Sequence, residues 1–135
     1  MALITWSDKF SVGVEAIDAQ HSILLDTLNE LHDAMMKGQA KSMTEPLLRN
    51  LLAYTRNHFS AEEAMMARAG YPGLEEHRIR HRDLAKQVEG YVARFERGEV
   101  TLNLHLMHFL RDWLTNHILQ EDRDYGPCLN AHGMR

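Results

Sequence analysis

The sequence predicts an all-α protein: an up-down-up-down antiparallel four-helix bundle with a non-helical N-terminal arm. Two observations carry this. Four segments repeat apolar residues at steps of three and four, the period of a helix packed along one stripe. The links between them are short, so successive helices must run antiparallel. A length of 135 residues allows one domain with a real core and is short for two. We divide it into an arm (1–15), a bundle (16–125) and a tail (126–135).

The arm, "ITWSDKFSVGVEAID", mixes Trp6, Phe10, Val12 and Val14 with Gly13 and has no helical period. It reads as an ordered strap that lays apolar side chains on the bundle. In the first helical segment Ile17, His21, Leu24, Leu28, Leu31 and Met35 form the stripe, with Asp18 as N-cap and Gly38 as stop. In the second the stripe is Leu48, Leu51, Thr55, His58, Glu62, Met65 and Ala69. Pro46 is expected in its first turn, where a missing N–H is harmless, and "GYPG" (Gly70 to Gly73) ends it. The third carries His77, His81, Leu84, Val88, Tyr91 and Phe95 and closes at Gly98. The fourth carries Leu106, Leu110, Trp113 and His117, with Leu114 and Ile118 beside them, and ends at "YGP" (Tyr125 to Pro127).

Bulk composition narrows the function. Nineteen acids against fifteen bases give a formal charge of -4, which argues against nucleic acid as a partner. The one cysteine, Cys128, leaves no internal disulfide and reads as a bystander thiol. No apolar run approaches the roughly 20 residues of a membrane span. "MALITWSDKF" lacks the features of a signal peptide, so a cytoplasmic location is expected.

Nine histidines is a high count for this length, and five of them fall on the inner stripes. These are His21, His58, His77, His81 and His117, joined by Glu62. In an antiparallel bundle the start of the first helix, the end of the second, the start of the third and the end of the fourth lie at one end. The six side chains therefore converge at one height. A single interior histidine is ordinarily a satisfied core residue. Five of them with a carboxylate are expensive to bury unless a metal takes up their lone pairs and charge together. The spacings "HFSAE" and "HRIRH" put each pair on one helix face, as chelation requires. Asp122 lies five residues after His117 in "HILQED", which on a regular helix turns it about 140° away. Either the helix distorts there or the side chain reaches across, and Glu121 is the local rival. Met65 and Met66 read as packing, and Glu63 falls off the stripe and is expected to be dispensable. His32, His105, His108 and His132 read as surface.

Five imidazoles and two carboxylates are too many for one ion; a structural zinc needs four ligands. Ferritin-like di-iron sites use Glu-rich sets with Glu-x-x-His motifs, a different pattern. The motifs "W…VGV…ID.QH" (Trp6 through His21), "HF..EE..M" at 58–66, "H...H" at 77–81 and "H....D" at 117–122 resemble the hemerythrin family, its single-domain bacterial branch in particular, over nearly the whole chain.

The resemblance implies two non-heme iron ions bridged by an oxo or hydroxo group and by the carboxylates of Glu62 and Asp122. It implies that His77, His81 and His117 bind one iron, and that His21 and His58 bind the other, which keeps an open position. The implied activity is reversible dioxygen binding by a carrier, store or local supplier, not an enzyme. Leu24, Phe59, Trp113, Leu114 and Ile118 are implied to wall the gas pocket. The partners expected are dioxygen and an oxygen-consuming enzyme, with the chain a monomer. The alternatives are a di-iron protein with peroxidase or nitric-oxide-related activity, and an iron-handling or oxygen-sensing module. The absence of an appended output domain weighs against the sensor.

Overall fold

A computed structural model describes residues 3–117 and 122–135. A short 3-10 turn, Asp8–Phe10, lies in the arm and is followed by α1 (Glu15–Met36), α2 (Lys41–Ala69), α3 (Leu74–Glu96) and α4 (Leu104–Asn116). A second 3-10 turn, Asp122–Tyr125, leads into α5 (Gly126–Ala131). Helix α2 packs on both α1 and α3, and α1 packs on α4, which closes the four-helix bundle.

The turns between helices follow from local chemistry. Gly70 takes a left-handed conformation (φ 65°) at the end of α2, and Tyr71 N–H donates to the Met66 carbonyl across it. A residue with a Cβ resists that conformation, so the glycine sets the reversal that brings α3 back along α2. At the start of α4 the Asn103 side chain accepts the Leu106 N–H at 2.9 Å, an N-cap of the usual kind.

Three local expectations need correction. Asp18 is not the N-cap of α1, which begins three residues earlier with Val14 at the cap. Its carboxylate instead accepts from Ser11 Oγ at 2.6 Å and from Val12 N–H at 2.9 Å, and so pins the arm to the helix. Pro46 is the sixth residue of α2 and not in its first turn, because that helix starts at Lys41. The end of the α2 stripe runs through Met66, fully buried, whereas Met65 is only half-buried. A rotation of one position follows from a true helical period of 3.6, which the three-and-four pattern only approximates.

Two apolar clusters fill the interior. The larger holds Leu24, Leu28, Leu31, Leu48, Leu51, Val88, Phe95, Leu110 and Leu114 along the bundle, and Phe10 of the arm joins it. Each leucine removed fully from water contributes about 2 kcal/mol. The smaller, at the other end, joins Val12 and Val14 of the arm to Ile17, Met66, Ala69, Tyr125 and Leu129. The stretch expected as a tail is therefore partly helical and contributes buried side chains. Asn130 Nδ2 donates to the Gly13 carbonyl at 2.9 Å, tying α5 to the arm. No helix among the described residues is long and apolar enough to cross a membrane.

Gly126 tests this junction. A methyl group built there overlaps the Val12 carbonyl oxygen, so backbone must shift. Gly126→Ala should destabilise the protein by about 1–3 kcal/mol and lower Tm by several degrees in a thermal melt. An unchanged Tm would show that arm and α5 are not in contact.

Candidate metal centre

The seven residues implicated from the sequence come together at one end of the bundle. His21 is supplied by the second turn of α1, His58 and Glu62 by the last third of α2, and His77 and His81 by the start of α3. His117 caps the C-terminus of α4, and Asp122 opens the following 3-10 turn. All seven are at most 3% exposed.

Asp122 enters the site from a 3-10 turn and not from α4, which spans Leu104–Asn116. His117 still has helical backbone angles (φ -60°, ψ -50°). Asp122 Oδ2 lies 3.0 Å from His117 Nε2 and 2.8 Å from His21 Nε2, while Oδ1 lies 3.6 Å from His77 Nε2. A regular helix from His117 to Asp122 is not what places the side chain. Glu121, the rival acid, and Ile118 of the implied gas pocket lie outside the described residues.

Glu62 faces the centre from the opposite helix. Its Oε1 abuts His58 Nε2 and lies 3.4 Å from His117 Nε2 and 3.7 Å from His21 Nε2. The two nitrogens His21 Nε2 and His58 Nε2 are 2.9 Å apart. The donor atoms form two compact groups. One contains His21, His58, Glu62, His117 and Asp122; the other contains Glu62, His77, His81 and Asp122. The members common to both are the two carboxylates. His117 groups with His21 and His58 by donor atoms, although its ring is nearer to His81 (5.1 Å) than to His58 (5.8 Å).

Charge balance identifies what the cluster suits. Nε2 of His77 and of His81 are buried without a hydrogen bond, and the buried oxygens of Glu62 and Asp122 face imidazole nitrogens. Among the described residues no lysine or arginine pairs with either carboxylate. Burial opposes ionisation of Glu62, and so does Asp122, yet the imidazoles of His58, His117 and His21 outweigh both and hold its carboxyl far below the usual range. Asp122 is likewise held well down: burial opposes its charge, and His117, His21 and His58 overcome it. Burial alone would lower His21, but bonding to Asp122 and Glu62 raises it. Burial lowers His81. Two buried carboxylates that stay ionised, ringed by imidazole nitrogens, fit divalent cations, which would take the place of protons on those imidazoles.

Behind the donors lie residues that spacing did not single out. Gln20 Oε1 is 2.8 Å from His58 Nδ1. Glu63, expected to be dispensable, places Oε2 3.3 Å from His81 Nδ1 and Oε1 3.4 Å from Arg78 Nε. The position is off the α2 stripe, as expected, but faces α3 and a histidine of the site. Tyr125 is fully buried, and burial with the nearby charges of Glu62 and Asp122 pushes its hydroxyl well above the usual range. No sequence period marks these three, because each acts across a helix–helix junction.

The implied pocket residues Leu24, Phe59, Trp113 and Leu114 are buried in one apolar cluster. Phe59 stacks on His81 with ring centres 3.9 Å apart and planes at 2°. Trp113 runs parallel to His117. His105, His108 and His132 are exposed, as expected, and His32 is half-buried. Cys128 is a free thiol.

The hemerythrin HHE cation binding domain family model matches residues 12–129. A bacteriohemerythrin of Methylococcus capsulatus is 36% identical over 132 residues, 97% of this chain and 100% of that protein. A bacteriohemerythrin of Stenotrophomonas maltophilia is also 36% identical, covering 98% of this chain and 85% of its own length. A crystal structure of wild-type hemerythrin superposes with TM-score 0.90 at 36% identity, over 95% of this chain and 98% of that one.

Two outcomes test the site. Glu62→Gln removes one buried charge from both donor groups and should lower bound metal, measured by elemental analysis; an unchanged metal content would count against a shared carboxylate. On acidification the imidazoles gain protons before the depressed carboxylates do, so metal should leave as pH falls. Full retention at pH 4 would contradict the histidine donor set.

Proposed function

This chain belongs to the hemerythrin family, and from that premise we propose that it binds dioxygen reversibly at a non-heme di-iron centre. The observation that carries the reading is the pair of buried carboxylates common to two donor groups. One ion alone would leave part of that set uncompensated. Glu62 and Asp122 would be shared by the two irons; His77, His81 and His117 would hold one, and His21 and His58 the other. The iron pair, when bound, supplies an open position and the electrons for reversible gas binding.

The remaining work belongs to the chain's own side chains. Leu24, Leu114, Phe59 and Trp113 make an apolar wall beside the histidines. A nonpolar gas would partition into such a wall, which would also hold water away from the centre. A cavity of about 340 Å³, lined by Leu84, Phe109, Trp113 and His117 among others, approaches the site from between α3 and α4. The protein acts as a binding protein, as a carrier, store or local supplier to an oxygen-consuming enzyme, and not as a catalyst.

The visible spectrum of the reduced, iron-loaded protein decides between these roles. A band that forms in air and disappears under vacuum, over several cycles, is expected. Rapid irreversible bleaching with consumption of a reductant would instead support peroxide or nitric oxide chemistry.

Leu114 is fully buried, three residues from His117. Leu114→Ala should cost about 2–5 kcal/mol of stability and shorten the period over which the protein cycles dioxygen before its iron oxidises. A variant as durable as the parent in the same optical assay would remove Leu114 from the water barrier.

A further inference from the structure

Among the described residues, His58 and His81 are each backed by a side chain, and the two differ in kind. Gln20 stands behind His58 and Glu63 behind His81. A carboxylate only accepts hydrogen bonds, so the His81 Nδ1 must carry the proton and its Nε2 keeps the lone pair. That nitrogen belongs to the buried end of the ring, on the side of Glu62 and Asp122. A carboxamide can turn either its oxygen or its NH₂ toward a ring nitrogen, so Gln20 does not enforce one tautomer. Two further contacts stiffen the His81 side. Arg78 Nε lies 3.4 Å from the other Glu63 oxygen, and Phe59 stacks flat on the His81 ring. A carboxylate behind a ligating imidazole also raises its strength as a donor.

We infer that Glu63, steadied by Arg78, is the positioning residue of His81, and that it makes the His77–His81 half of the centre the tighter-binding half. This rests on the iron-binding reading above. The chain then loads in order: the half with a fixed tautomer fills first, and the half backed by Gln20 fills second. Glu63 itself is a quarter exposed on the bundle surface, so its replacement leaves the core packing intact.

The test is an anaerobic titration of the metal-free chain with Fe²⁺ against a competing chelator, on the parent, Glu63→Gln, Glu63→Asp, Arg78→Gln and Gln20→Ala. Glu63→Gln should weaken the tighter binding step by about 10–100-fold. Glu63→Asp should recover part of the loss, Arg78→Gln should show a smaller one, and Gln20→Ala should leave the tighter step unchanged. Nitrogen-15 NMR of the metal-free chain supplies a readout that a merely structural role would not move: His81 should be the Nδ1–H tautomer in the parent and a mixture in Glu63→Gln. A parent that binds iron in two steps, with Glu63→Gln identical to it in both steps and in tautomer, overturns this inference alone. A parent that takes up no iron overturns the iron-binding reading and this inference with it.

Discussion

Two ionised carboxylates and five imidazoles share one dry end of a four-helix bundle, and the rest of the fold is arranged around that concentration of lone pairs. Water cannot reach these groups, and no lysine or arginine among the described residues neutralises the acids. Imidazoles alone offset part of the penalty, which is why both carboxyls stay ionised despite burial. A divalent cation offsets the remainder. An aliphatic core would be simpler to build and more stable on its own. The metal centre is therefore a functional demand that the surrounding packing has to support.

That support explains features that otherwise look incidental. The arm crosses the metal end and contributes Val12 and Val14; α5 closes over it with Leu129, and Tyr125 fills the space below. Asp18 and Asn130 hold these pieces down with hydrogen bonds. Without the cap, the site would lie at the open mouth of a bundle, where solvent would screen the charges and hydrate the carboxylates. The glycine reversal after α2 has the same purpose at the other seam: it sets the start of α3 against the last turns of α2, so that the two His-spaced pairs face one another.

The centre is also asymmetric. The ring of Phe59 stacks flat on His81, and Glu63 stands behind its Nδ1, whereas the group behind His58 Nδ1 is the amide of Gln20. Donors fixed from behind set a metal in place, and a donor with a freer partner tolerates changes in its surroundings.

The helical period, the reversal at "GYPG" and the placement of five histidines and Glu62 were all legible in the sequence. Each depends on local geometry: residues three or four apart share a face, and short links make neighbours antiparallel. Asp122 was legible only by resemblance, since its approach requires α4 to end at His117 and a 3-10 turn to follow. Glu63 and Gln20 were misjudged or passed over because their partners lie on other helices, 18 and 38 positions away in sequence. The closing role of α5 was hidden for the same reason. Local periodicity determined which side chains point inward and at what height. The packing of one helix against the next decided what stands behind His58 and His81, because Gln20 and Glu63 come from other helices, distant in the chain.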